Sequence, residues 1–306
     1  SARIALNRTG LAKADDKDEP AKVSFVSPLT YPNQAFGLAA PAKRQNVHIK
    51  NATVWTSDKA GKLENTDVLV EDGKFVEIGK NLKTPSGFTV IDATGMHLTP
   101  GIIDEHSHIA IEAGVNEGSD AVTSEVAIGD VVLPDDINIY RGLAGGTTTA
   151  QLLHGSANPI GGQAQIIQLR WGVTPDELKF KGAPASIKFA LGENVKQSNW
   201  GDNYTSRYPQ SRVGVETTIR EAFQAAKEYK AAWAAYNDLS SSEKKRVAPP
   251  RVDYRLQTLV EILDKKRFIH THSYVASEIL MLIHLAEEVG FKVNTFTHIL
   301  EGYKVA

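Results

Sequence analysis

The chain contains no cysteine. That absence excludes disulfides, thiolate metal sites and a cysteine nucleophile, and leaves the redox compartment open. Any metal must therefore be held by His, Asp, Glu or a modified Lys. No stretch of roughly 18 consecutive apolar residues exists, so no membrane-spanning helix is expected. A surplus of charge is also missing: 34 basic side chains face 36 acidic ones, for a net charge of −2. Without a basic surplus to neutralise phosphates, a general nucleic-acid binder is excluded. The chain begins at Ser1 rather than Met, which raises the expectation of a targeting segment removed before it. Internal repeats and low-complexity tracts are absent as well. What is present is 306 residues of ordinary globular composition, 42 % hydrophobic and 23 % charged, enough for one large α/β domain with an appendage.

Residues 1–45 show no sustained period and are rich in Lys, Asp, Pro and Ala, and read as an extended or disordered arm. From Gln45 alternating apolar residues such as Val68 and Val70, with the turn pair Asp72-Gly73, predict short antiparallel strands. They form a small β unit over 46–97. From residue 98 to 306 short apolar strands alternate with helical stretches, the signature of βα units on a parallel sheet. Strands are expected near 102–106, 147–153, 164–169, 186–191, 267–271 and 292–297. A long amphipathic helix is expected over 215–236, its charged face simply solvated, and 240–251 reads as an exposed linker. A (β/α)₈ barrel needs eight strands in ~250 residues, and only about six βα units fit.

The chemistry concentrates in LTPGIIDEHSHI, residues 98–109. His106 and His108 are two apart on a strand, so both side chains share one face. They sit at the strand's C-terminal end, where barrel enzymes place their catalytic groups, and two neutral imidazoles there can share a divalent cation. The plainer alternative is a pair of partly exposed strand-end histidines. In SIKFALGEN, Phe189 and Leu191 should face the helices, which turns Lys188 inward, and a buried lysine is costly unless neutralised or paired. In GSANPIGGQ, Gly161 and Gly162 offer either a substrate-binding loop that presents backbone N–H groups or an ordinary tight turn. His284 is expected to pack within a helix, and His48 and His154 have no metal pattern around them.

The passage NATVWTSDK…LENTDVLVEDGKFVEIGKNL…VIDATGMHLTPGIIDEHSHI resembles the amidohydrolase superfamily. The likeness continues through AGGTTTAQLLHGSANPIGGQAQIIQLRWG and SIKFALGENVK to FIHTHSYVASEIL and NTFTHILEGYK, pieces similar to the imidazolonepropionase-related branch. The resemblance implies an α/β fold: a small β-sandwich portion followed by a TIM-like (β/α)₈ barrel, here incomplete. It implies one or two divalent ions, zinc above all, held by His106, His108, His270 and His298. His272 shares the parity of His270 and is a weaker candidate, placed among the substrate-binding residues. Superfamily members often bridge two ions with a carboxylated lysine, and Lys188 is suitably placed; Glu193, at the strand end, is the rival bridging carboxylate. SRYPQSRVG resembles a Thr-Arg motif of the family, so Arg212 is a candidate to hold a substrate carboxylate or, equally, a structural one. The family carries Pro where this chain has His154.

The family's proton-accepting aspartate lies at the end of an eighth strand. This chain ends soon after His298, so that residue is expected beyond Ala306 and the chain is expected to be a fragment, or to be completed by another chain. The function implied is metal-dependent hydrolysis of a C–N bond in an amide, cyclic amide or peptide-like small molecule, the isolated chain being nearly inactive. A non-catalytic scaffold or binding protein with the same fold is the alternative, and one-metal deaminase chemistry a third reading. Expected partners are the small substrate and either a second copy or a complementing C-terminal chain. The long preface and the 240–251 insertion hint at an exported or periplasmic protein.

Overall fold

A computed structural model describes residues 43–197 and 207–306. The arm expected over 1–45 lies, up to residue 42, outside the described residues. The first sheet is built from β1 (Val47–Trp55), β2 (Lys62–Glu71), β3 (Lys74–Gly79), β4 (Thr89–Asp92) and β5 (His97–Leu98). β1, β2 and β3 form an antiparallel meander. Its Asp72-Gly73 turn has φ of +50° and +76°, and positive φ at both positions matches the turn to the right-handed twist of the strands. β4 and β5 both pair with β1 in parallel, so the sheet is mixed rather than antiparallel throughout. The connection into β4 is held at its start by Asp67, whose two carboxylate oxygens accept from the Asn51 and Leu82 backbone N–H groups. Ala52, Val54, Val68 and Ala93 make its small core.

The second part begins with β6 (Ile102–Ser107), α1 (Ile137–Ala144) and β7 (Thr147–Leu152), then β8 (Ile160–Gln163), β9 (Gln165–Gln168) and α2 (Pro175–Leu178). β10 (Ala185–Ala190), α3 (Val213–Asn237), α4 (Ser241–Lys244), α5 (Tyr254–Leu263), β11 (Arg267–His272), α6 (Ala276–Val289) and β12 (Val293–Thr297) complete it. β6 and β7 are parallel, and so are β10, β11 and β12. One strand departs from the expected parallel sheet. β8, Ala164 and β9 form a single run that pairs antiparallel first with β10 and then with β7, Ala164 N–H donating to Ser186 O on the way. The seven residues between β7 and β8 are too few for a parallel crossover, which needs a dozen or more.

The strand array curls. His106 at the end of β6 reaches Thr297 at the end of β12 through a 2.9 Å Nδ1–Oγ1 contact. Outside the curl, Ile187 and Phe189 of β10 and Leu191 just after it pack on Ile219 and Phe223 of α3, Leu259 of α5 and Leu282 of α6, with Phe223 stacked on Phe291 at 4.2 Å between ring centroids. This is the outward face predicted for Phe189 and Leu191, and it leaves Lys188 on the inner face. Two local expectations change. The linker after α3 contains α4, started by a reciprocal Ser240–Glu243 capping box. His284 is exposed on α6 rather than packed, because Leu282, Leu285 and Ala286 supply that helix's buried stripe.

Candidate metal centre

Strand alternation and register assemble the site. Lys188 on β10 pairs with His270 on β11, and His270 and His272 pair with Thr295 and Thr297 on β12, so these positions share the inner face of the curl. His106 stands centrally, its ring centroid 5.2 Å from His108, 5.3 Å from His270 and 4.8 Å from His298. His272 adds a 4.6 Å contact to His298 and a 4.3 Å contact to Tyr274. His298 follows the inward-facing Thr297, and simple alternation would turn it outward. Its φ of +36°, unusual for a non-glycine residue, returns the ring to the cluster.

The hydrogen bonds fix which nitrogens are free. The Lys188 amine lies 3.1 Å from His106 Nε2, so that nitrogen accepts and Nδ1–H donates to Thr297 Oγ1. His108 Nδ1–H donates to the Leu153 carbonyl at 2.9 Å, which leaves its Nε2 lone pair available. His270 Nε2 and both nitrogens of His272 are buried without a hydrogen-bond partner, a costly condition that a cation would relieve. Burial holds every imidazole neutral at pH 7. His106 falls to about 3, through burial and then the Lys188 charge. Burial followed by Lys188 brings His270 to about 4, and burial followed by His298 brings His272 to about 3. His108 and His298 are lowered by burial as well. Lys188 is fully buried, and burial brings its amine down to about 8, opposed only by the Glu105 charge.

The donor set, neutral imidazoles around a buried amine, suits a divalent ion of the zinc type. As the side chains stand, no three His, Asp or Glu groups among the described residues close to metal-holding geometry.

The remaining candidates lie elsewhere. Glu193 pairs with Lys196 at 2.7 Å and with Arg212 at 3.0 Å, and Arg212 also reaches Glu278 at 3.2 Å. The guanidinium therefore holds two carboxylates of the fold, beside the start of α3. Gly161 and Gly162 are neither a turn nor an anion loop but part of β8. A Cβ on Gly161 would stand 2.8 Å from His154 Nδ1 and 3.1 Å from the Lys188 carbonyl. The glycines thus admit the His154 ring, which donates from Nδ1 to Gly155 O and accepts at Nε2 from the Glu117 backbone N–H. We expect Gly161→Ala to cost about 1–3 kcal/mol by overpacking. In a double-mutant cycle read by chemical denaturation, His154→Ala should absorb much of that cost. Purely additive effects would mean that the imidazole is not what the methyl meets.

Sequence reasoning missed several groups that shape the rim. Arg207 donates to the carbonyls of Gly118, Asp120, Ala157 and Val195, and Asn158 Nδ2 to Glu117 O, Asp120 O and Thr123 Oγ1. Together they pin the loops after β6, β7 and β10. Glu105 was also missed, because alternation assigns it to the opposite face from His106; the structure sets its Oε2 3.4 Å from His270 Nε2.

No family model matches the chain. A solved amidohydrolase from Thermotoga maritima is 33 % identical and superposes with a TM-score of 0.72 over 85 % of this chain and 66 % of its own. Amidohydrolase tasK of Hapsidospora irregularis is 25 % identical over 84 % of this chain, which spans 30 % of that protein. Over 22 % of the chain, D-hydantoinase of Geobacillus stearothermophilus is 46 % identical, the match spanning 13 % of it. The chain thus spans less than a third of these two curated relatives and about two thirds of the solved one. With that fold shared and the histidine motif in place, the chain belongs to the amidohydrolase superfamily.

Proposed function

We propose that this chain is the metal-binding portion of a hydrolase that cleaves a C–N bond in an amide, cyclic amide or peptide-like small molecule, on an incomplete (β/α)₈ barrel. The observation that carries the reading is the convergence of His106, His108, His270 and His298 from three strand ends around the buried Lys188. The four histidines would hold one or two zinc ions. When bound, such an ion lowers the pKa of a water towards ~7 and polarises a carbonyl.

The chain's own residues prepare that site. The Leu153 carbonyl and Thr297 hydroxyl fix the tautomers of His108 and His106, so that His108 presents a free Nε2 and His106 turns its Nε2 to the Lys188 amine. Burial keeps the ligand nitrogens unprotonated at neutral pH. The Lys188 amine, in contact with His106, supports Lys188 over Glu193 as the additional member of the set, since Glu193 is engaged by Lys196 and Arg212. Carboxylation of Lys188 would replace a buried cation by an anion and suits a two-ion site; an unmodified amine suits one ion. The loop after β7 meets the cluster at its first residue, Leu153, whose carbonyl accepts from His108.

The test is metal content per chain after dialysis against zinc, for this chain and for a version extended past Ala306, each with a His106→Ala control. We expect one or two equivalents, lost in the control. If neither chain holds zinc above its control, the hydrolase reading gives way to a non-catalytic scaffold of the same fold.

A further inference from the structure

β6 delivers one acidic side chain to the histidines against its own alternation. Asp104, His106 and His108 share a parity that Glu105 does not, but the pairing of β6 with β7 slips between Asp104 and Ser107. The slip brings Glu105 Oε2 to 3.4 Å from His270 Nε2. That nitrogen is buried and makes no hydrogen bond, and a good N–H···O bond would stand at about 2.9 Å. Two donor atoms on one tetrahedral ion, each bonded at 2.0–2.2 Å, are separated by roughly 3.3–3.6 Å. The observed spacing is that of two ligands sharing an ion.

The other carboxylates described above make contacts of their own, one Glu278 oxygen apart. Asp104 accepts from the His106 backbone N–H, Glu193 meets Lys196 and Arg212, and Glu278 meets Arg212. For Glu105, His270 is the one ion-pair partner among the described residues. Its side chain is 63 % exposed while that of His270 is 5 % exposed, so an incoming cation can meet the carboxylate first and the imidazole second.

We propose that Glu105 is a carboxylate ligand of the metal centre, sharing an ion with His270. This rests on the metal-site reading above, and adds a hard anionic oxygen to a set otherwise made of imidazole nitrogens. A carboxylate in that position offsets part of the positive charge that a divalent ion brings beside Lys188.

The probe is Co²⁺, whose visible ligand-field bands report the donor atoms, with Zn²⁺ affinity measured by competition against a chromophoric chelator, on the full 306-residue chain. Glu105→Gln, at an exposed position, should leave the far-UV spectrum unchanged. It should weaken Co²⁺ and Zn²⁺ binding at least ~10-fold and shift the cobalt bands; Glu105→Asp should recover part of both. If Glu105→Gln matches the parent in affinity and spectrum while His106→Ala loses the ion, Glu105 is a bystander and the metal reading stands. Weakened binding with unshifted bands would also overturn ligation, leaving only a through-space charge effect. If the parent takes up neither ion, the metal reading itself falls, and this proposal with it.

Discussion

Below pH 6.5 the metal-free chain is expected to lose stability at about 1.4 kcal/mol per pH unit for each deeply buried imidazole. His270 and His272, 4 % and 2 % exposed, are strongly affected, as is His106, lowered to about 3. Burial lowers the first to about 4 and the second to about 3, against an ordinary value near 6.5. Below 6.5 the unfolded chain therefore binds protons that the folded chain refuses. The stabilisation is complete above pH 6.5 and drains away as the pH falls towards 4 and 3. Carboxylates held below their usual range, Asp67 and Asp120 among them, add their loss only below about pH 4; between 6.5 and 4.5 the histidines set the slope, opposed in part by Glu278, which burial raises. Denaturant melts of chelator-treated protein across that window should show the slope, and a His270→Gln/His272→Gln variant should reduce it, His106 keeping its share. An equally steep variant would mean that these rings are already solvated or charged at neutral pH. Bound metal should raise stability across the window without removing the slope, because the loaded folded chain also refuses the protons that the unfolded chain binds.

Lys188→Met is expected to stabilise the metal-free chain by about 3 kcal/mol at pH 7. The amine is fully buried, and its folded-state value of about 8 lies below the ordinary 10.5. Between pH 8 and 10.5 the unfolded chain binds the proton more readily, so stability rises with pH there. Below pH 8 both states are protonated and the whole cost of the buried charge persists. Methionine keeps most of the volume without the charge, so the gain should be present at pH 7 and vanish near pH 10.5. A loss of stability at pH 7 would show that the lysine is not a buried cation in the isolated protein, the result expected if it is carboxylated and bridges ions. The same variant should bind zinc less tightly, so stability and metal affinity move in opposite directions.

Much of this was legible in the sequence, and the failures have physical causes. The six strand positions followed from short apolar runs, which on β10 are buried against the helices through Ile187 and Phe189, although Ile102 and Ile103 of β6 are exposed. Parity placed Lys188 inward for the same reason. His270 and His298 came from motif order, yet His298 reaches the cluster only through a left-handed φ that no periodicity encodes. Parity failed at Glu105, where the slip between β6 and β7 breaks the two-residue repeat. Strand direction failed at residues 160–168, since an apolar run reads the same in both directions; the short connection before it was the available signal. Gly161 and Gly162 misled because their reason is a ring, His154, that nothing local announces.

The reversed strand has a consequence for how such a protein can diversify. Where each strand rises to the mouth and returns through an outer helix, every connection at the mouth can lengthen or shorten by itself. Here the segment between β7 and β8 both leaves one strand and enters the next at the same end of the sheet, while the stretch containing α2 turns at the opposite end. Two lips of the opening are thus fused into one short strap, tied down by Asn158 and by the Ala157 carbonyl on Arg207. Insertions in that strap must satisfy both strands at once. Length variation should therefore accumulate in the connections after β6 and β10, with residues 153–159 acting as a fixed point at this end of the sheet.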